Sequence, residues 1–203
     1  MDSKTTDAIL SFWFKDCATK PAKVKPMKRQ WYRGSANLDV IITSRFAKTH
    51  AEVVATSPTL RQFSPRACLA EIITLDQFSR HMFRGTADAF RFDHLAQALA
   101  VELCSQLEQT TLTPIETVFA LHPLHHAESN HLQTMGCELL ASLFQDLNEQ
   151  WRNALSGFLQ SFEEHALIIR RFGRFPHRNQ SIGRMTTPSE QAYLQTNSKG
   201  YGQ

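Results

Sequence analysis

No stretch of this sequence stays apolar for long. The longest mostly apolar runs, Val118 to Leu121 and Leu139 to Phe144, fall far short of the roughly 20 residues a bilayer-spanning helix needs, so no membrane segment is expected. Glycine and proline are sparse, eight of each in 203 residues, which excludes a collagen-like or low-complexity chain. No two cysteines are close: Cys17, Cys68, Cys104 and Cys137 lie 51, 36 and 33 residues apart, with neither a CxxC redox pair nor zinc-ligand spacing. They read as reduced, mostly buried thiols, since a disulfide framework suits a smaller secreted chain. Behind the apolar segment Ala8 to Phe14 there is no small-residue cleavage pattern, so no secretory signal is predicted and the cytoplasm is the expected compartment. A Gly-rich phosphate loop, a serine nucleophile elbow and HExxH are all missing.

What is present is an ordinary globular composition, 42% hydrophobic and 20% charged, in a chain long enough to bury a sizeable core. The expectation is one helical domain over residues 1–203. The net charge of +3 is unevenly placed. Residues 1–33 carry eight Lys/Arg against three acids, residues 170–184 five Arg against none, and residues 34–169 eight against fifteen acids. A basic face interleaved with aromatic residues is what nucleic acid requires, and an acidic middle argues against it.

Helical periodicity dominates. Ile9, Leu10, Phe12, Trp13 and Phe14 form a broad apolar face over Ala8 to Lys15, with Thr5 and Thr6 as candidate N-caps. Residues 20–28, with Pro21 and Pro26, read as a basic loop. Leu38, Ile41, Ile42 and Phe46 predict a helix over Asn37 to Val54. Ser64-Pro65 is a start signal for an apolar helix carrying Asp76, Gln77 and Arg80, and Gly85-Thr86 breaks it. Asp93 reads as the cap of the next helix. Thr113-Pro114-Ile115-Glu116 is a capping box, and that helix must bend or end near Pro123. Further helices are expected over His126 to Phe144 and Asn148 to Arg171, the latter stopped by Gly173. Thr187-Pro188-Ser189-Glu190 repeats the capping box, and residues 197–203 read as a frayed tail. No stretch alternates as a strand would, so the fold class is all-α.

Three groups of residues carry chemical potential. Asp76, Arg80 and Arg84, spaced by four, share a face if their helix persists, with Gln77 beside them. His122, His125, His126, Glu128 and His131 form a dense set, but Pro123 disturbs the His122/His126 spacing, so no metal is assigned and an acid–base role is kept open. Arg170, Arg171, Arg174 and Arg178 gather with His177 around a Gly/Pro turn, the best candidate for binding a carboxylate or phosphate.

The segments Leu75-Asp76-Gln77-Phe78-Ser79-Arg80-His81-Met82-Phe83-Arg84-Gly85-Thr86, His126-Ala127-Glu128 and Arg171-Phe172-Gly173-Arg174-Phe175-Pro176-His177-Arg178-Asn179 closely resemble the bacterial domain-of-unknown-function family numbered 924. The similarity extends from Ile9-Leu10-Ser11-Phe12-Trp13-Phe14 through Trp31 to Gly183-Arg184 and Thr187 to Leu194. It implies tetratricopeptide-like layers of helical hairpins in a right-handed superhelix, and marks Asp76, Gln77, Arg80, Arg84, His126, Glu128, Arg174, His177, Arg178 and Asn179. The chain departs from the pattern at Ala127, where the family often has Ser, and at His122 and His125, where apolar residues are expected.

Three functional expectations follow. In the leading one the groups converge on a pocket, where Arg80, Arg84, Arg174, Arg178, Asn179 and Gln77 hold a small anionic ligand and His126, Glu128, His177 and Asp76 transfer protons. In the second, helix layers present a groove to a peptide carboxylate. In the third, the motifs are buried ion pairs that lock helix ends together.

Overall fold

The computed structural model describes residues 1–32, 35–56 and 64–197, and among them there are helices and turns but no strand. Most of the expected tail, residues 198–203, lies outside the described residues. Helix α1 (Ser3–Phe14) is capped by Asp2, whose carboxylate accepts from the Thr5 amide at 2.9 Å. Thr5 and Thr6 are therefore inside the helix rather than at its cap, and the Thr6 hydroxyl donates back to the Asp2 carbonyl. The basic loop expected over residues 20–28 is instead a tight turn, Pro21–Lys23, running into α2 (Val24–Tyr32). Neither proline prevents this, because Pro21 opens the turn and Pro26 lies in the first turn of α2, where its missing N–H would have no helical partner.

Ser35 caps α3 (Ala36–Ala55). Helix α4 (Pro65–Ile72) starts at Pro65 as the sequence predicts, although the Ser64 side chain makes no capping bond. It continues as a π-helical segment, Ile73–Phe78, into the short α5 (Ser79–Met82). Helix α6 spans Asp93–Cys104; Phe92 occupies the cap position because the Asp93 carboxylate is drawn off to two arginines. The Thr113/Glu116 capping box opens α7 (Pro114–His125), which passes through Pro123 and ends two residues later. Ser129 then caps α8 (Asn130–Asp146), so residues 126–129 are a turn rather than the first turn of a helix. Asn148 caps α9 (Glu149–Phe172), Gly173 ends it in the left-handed conformation at φ 68°, and the second capping box opens α10 (Pro188–Thr196).

Helix α7 is the axis of the core. From Ile115 to His125 every residue except Thr117 is buried, as expected of a helix apolar on all sides and surrounded by others, here α4, α6, α8 and α9. Phe119 of α7 receives Trp13 at 5.8 Å, Phe14 at 5.3 Å and Trp31 at 4.7 Å between ring centroids, which joins α1 and α2 to it. A smaller cluster, Ile168, Ile169 and Phe175 with Phe172 and Tyr193, holds α10 and the preceding turn to the end of α9. Among the described residues no helix is long and apolar enough to cross a membrane.

Two helical glycines test this packing in opposite directions. A Cβ at Gly136 of α8 would lie 3.2 Å from Leu124 Cβ and 3.5 Å from a Phe162 ring carbon, whereas at Gly157 of α9 it would meet only the mobile tip of Lys28 at 3.0 Å. Gly136→Ala should therefore destabilise by about 1–3 kcal/mol through overpacking. Gly157→Ala should stabilise by roughly 0.5–1 kcal/mol through lower chain entropy when unfolded. Urea denaturation of both variants checks the pair; equal effects would contradict the packing described.

Candidate functional site

Three helical stripes face a common cavity of about 480 Å³. On α2 these are Lys28, Trp31 and Tyr32; on the π segment and α5, Gln77, Arg80 and His81, followed by Arg84; on α9, Gly157, Phe158, Ser161, Glu164 and His165. The three- and four-residue spacing puts each set on one face of its helix. His125 and His126 enter from the end of α7, His177 and Arg178 from the turn after α9, and Phe90 closes a side.

Behind this wall lies a buried ionic network. Asp76 is fully buried, and its carboxylate takes Gln77 Nε2 at 2.6 Å, Arg80 Nη1 at 3.1 Å and His126 Nδ1 at 2.8 Å. Arg80 also donates to the Asp76 backbone carbonyl and reaches Asp93 at 3.1 Å. Arg178 donates to Asp93 at 3.2 Å and to the His126 carbonyl at 3.0 Å, with its guanidinium 4.6 Å from the rings of both Phe90 and Phe175. That second bond closes the C-terminus of α7, and Gln133 donates to the neighbouring carbonyls of His125 and Ala127. Burial lowers the Arg178 pKa to about 10 against the pull of Asp93, so it stays charged at neutral pH.

The imidazoles of the wall are neutral. Burial first, then Arg80, His122 and Arg178, hold His126 well below the usual histidine range. A carboxylate only accepts, so the proton of neutral His126 sits on Nδ1 facing Asp76, and Nε2 keeps its lone pair. His165 donates Nδ1–H to the Ser161 carbonyl at 2.9 Å; burial lowers its pKa to about 3, and burial with Arg178 does the same for His177. His122 is consumed structurally, donating to the Val118 carbonyl and accepting from the Tyr32 hydroxyl at 3.0 Å. His125 stacks on Phe162, and its buried Nδ1 has no hydrogen-bond partner.

The other marked residues make their bonds elsewhere. Arg84 does not continue the Asp76/Arg80 stripe to a shared carboxylate. The helix stops at Met82, and Arg84 makes a two-pronged bond to Asp39 of α3 at 2.9 and 3.0 Å, beside His81. Burial would raise the Asp39 carboxyl, but Arg84 and His81 outweigh it and lower it. Glu128 is gripped by Arg184 at 2.6 and 2.8 Å and by the Phe175 amide, which keep it ionised against burial. Arg174 pairs with Glu190 at 2.6 and 2.8 Å, and Asn179 links Glu190 to Arg184. Glu128, Arg174 and Asn179 thus tie the C-terminal segment down and do not line the cavity with His126. Nor do the histidines and Glu128 form a metal set: among the described residues no three potential ligands converge, and His131 is exposed.

With this geometry in view, the relatives can be set beside it. Residues 9–198 match the family of bacterial proteins of unknown function designated DUF924. The chain belongs to this family. It is similar to the solved structure of the Protein of Unknown Function ATU0120 from Agrobacterium tumefaciens, with 30% identity, a TM-score of 0.78, and coverage of 96% of this chain and 99% of that one. No curated protein matches it.

Lys28, Asp39, Phe158 and His165 were missed in the family-marked positions. Lys28 stood in what reads as a loop. His165 follows Ser161 by four on the inner face of α9, a signal available only once that face is known to border a cavity. Two measurements test the site's electrostatics. Arg178→Ala leaves Asp93 facing one guanidinium instead of two and opens the end of α7, and should cost about 3–5 kcal/mol in a denaturation experiment. The histidines make a pH prediction. Their folded pKa values, about 3 for His165 and His177, lie below the ordinary histidine value of about 6.5, so between these values the unfolded chain binds more protons. Stability should be complete above pH 6.5 and fall towards pH 3, by at most about 1.4 kcal/mol per pH unit for each buried imidazole and less for the part-exposed His177. Urea titrations at about pH 7.5, 6 and 5, which enter the upper part of this window, read the slope, and a flat profile for wild type would mean the imidazoles are solvated.

Proposed function

We propose that the cavity binds a small anionic molecule and that His126 acts on it as a general acid–base group, positioned by Asp76. One observation carries this reading. The charged and ionisable groups of the cavity wall are Lys28, Arg80, Arg84, Arg178, neutral imidazoles and one acid, Glu164, while Asp39, Asp76 and Asp93, the partners of the arginines, are not in the wall. The positive ends of the ion pairs face inward and the negative ends are set back, which favours an anion inside.

The volume suits a small molecule, and the aromatic share of the wall, Trp31, Tyr32, Phe90 and Phe158, suits an apolar body. Arg178 is buried and Arg80 only 11% exposed at its side chain, so they form no open row of the kind a peptide groove displays. With its Nδ1–H fixed on Asp76 and the ring uncharged, His126 keeps the Nε2 lone pair, whose basicity burial and the arginines reduce and a bound anion beside it would restore. The π-helical turn that carries Asp76 and Gln77 is a feature concentrated at functional sites.

The test is a thermal-shift screen of carboxylates and phosphates, each beside its neutral amide or alcohol, with the His126 ring nitrogens followed by NMR. A binder at a hundred times its Kd should stabilise the protein by about 2.7 kcal/mol. The His126 signals should show the Nδ1–H tautomer in the free protein and move on binding. If no anion stabilises the protein more than its neutral partner, the reading is wrong.

A further inference from the structure

We propose that Lys28 anchors the charge of the ligand, and that the ligand is a monoanionic carboxylate on an apolar, ring-sized body whose far end reaches His126. This rests on the anion-binding reading above and adds where the charge sits and what the rest of the molecule is.

The pairing of charges in the wall points to Lys28. Arg80 is taken by Asp76 and Asp93, Arg178 by Asp93, and Arg84 by Asp39. These guanidiniums are neutralised within the protein, and a ligand would have to compete with carboxylates already in place. Lys28 has no carboxylate among the described residues; its ammonium rests 4.8 Å from the centre of the Phe158 ring. Glu164, the one acid in the wall, is two turns further along α9 than Gly157, about 10 Å away along the axis. Burial and then Lys25 lower the Lys28 pKa, consistent with a cation that lacks a counter-charge.

Gly157 gives the second observation. A glycine within a helix of 24 residues costs stability, yet a Cβ there would stand 3.0 Å from Lys28 Nζ. The bare backbone leaves the ammonium its place at the cavity edge. One ammonium balances one negative charge, so a carboxylate fits, whereas a doubly charged phosphate would leave a charge uncompensated against a partly apolar wall. The aromatic rings Trp31, Tyr32 and Phe158 beside Lys28 fit an apolar ring. The rings of Phe158 and His126 share His122 as a neighbour, at 5.9 and 5.6 Å between centroids. At the far end the Nε2 lone pair of His126 accepts a hydrogen bond, which asks for a hydroxyl or N–H there.

The experiment is calorimetric titration of the wild type, Lys28→Met and Lys28→Arg with benzoate, phenylacetate, 3-phenylpropionate, their ring-hydroxylated forms, the matching neutral amides, and phenyl phosphate. Methionine keeps the apolar stem over Phe158, and circular dichroism checks folding, with Lys28→Gln as the substitute if Lys28→Met misfolds. The expected result is a carboxylate bound at least about tenfold more tightly than its amide by the wild type. That preference should vanish in Lys28→Met and persist in Lys28→Arg, with amide binding unchanged. A preference that survives in Lys28→Met overturns the role of Lys28 and leaves the anion reading standing. Tighter binding of phenyl phosphate than of any carboxylate overturns the monoanion. No carboxylate preference in the wild type overturns the carboxylate proposal, and if phenyl phosphate also fails to bind, the anion reading falls with it.

Discussion

The structure around the cavity depends on burying two carboxylates and two guanidiniums together. Asp76 and Asp93 hold Arg80 between them, and Asp93 also holds Arg178. Through these contacts the π segment, the start of α6, the end of α7 and the turn after α9 meet at one point. Taking four charges out of water is costly, and well-packed apolar residues would often be as stable. What an apolar core would not do is set the orientation of every partner. Asp76 fixes the His126 ring, and Arg178 fixes the last carbonyls of α7, from which His125 and His126 project.

That arrangement also explains why the histidines at the end of α7 are uncharged. A helix C-terminus attracts positive charge, and alone it would raise their pKa values. Here Arg178 already occupies that role and the rings are buried, so desolvation and the neighbouring guanidinium both favour the neutral form. Neutral imidazoles packed on Phe119, Phe162 and Phe175 behave as flat, weakly polar core residues. The site and the core are built from the same side chains.

How much of this the sequence reveals differs by type of contact. Helix α9 was readable because its cap Asn148, its apolar stripe and Gly173 are all local signals, and the two capping boxes were readable for the same reason. The start of α2 was not, because Pro21 and Pro26 signal a break unless their positions in the first turn are known. Asp76 and Arg80 were readable as a pair because they are four apart in one helix. Asp39 with Arg84, Glu128 with Arg184 and Asp93 with Arg178 were not, since their partners lie 45, 56 and 85 residues away. The resemblance marked Glu128 and Arg174 beside His126 and His177, and only the fold separates the pairs that fasten the C-terminal segment from those that border the cavity.

The division of labour between arginine and lysine in the cavity follows from that network. Arginine offers several donors in a plane and can serve two carboxylates, as Arg80 does, or one carboxylate and a helix end, as Arg178 does. Those donors are spent on geometry, and a ligand anion that displaced one would strand a buried carboxylate. A lysine is a compact charge on a flexible stem, and Lys28 stands at the cavity edge with an aromatic ring under it and, among the described residues, no acid to hold it. Under the proposed function, shape and proton chemistry would thus be set by the paired arginines and His126, and recognition of charge would fall to the residue that can move to meet it.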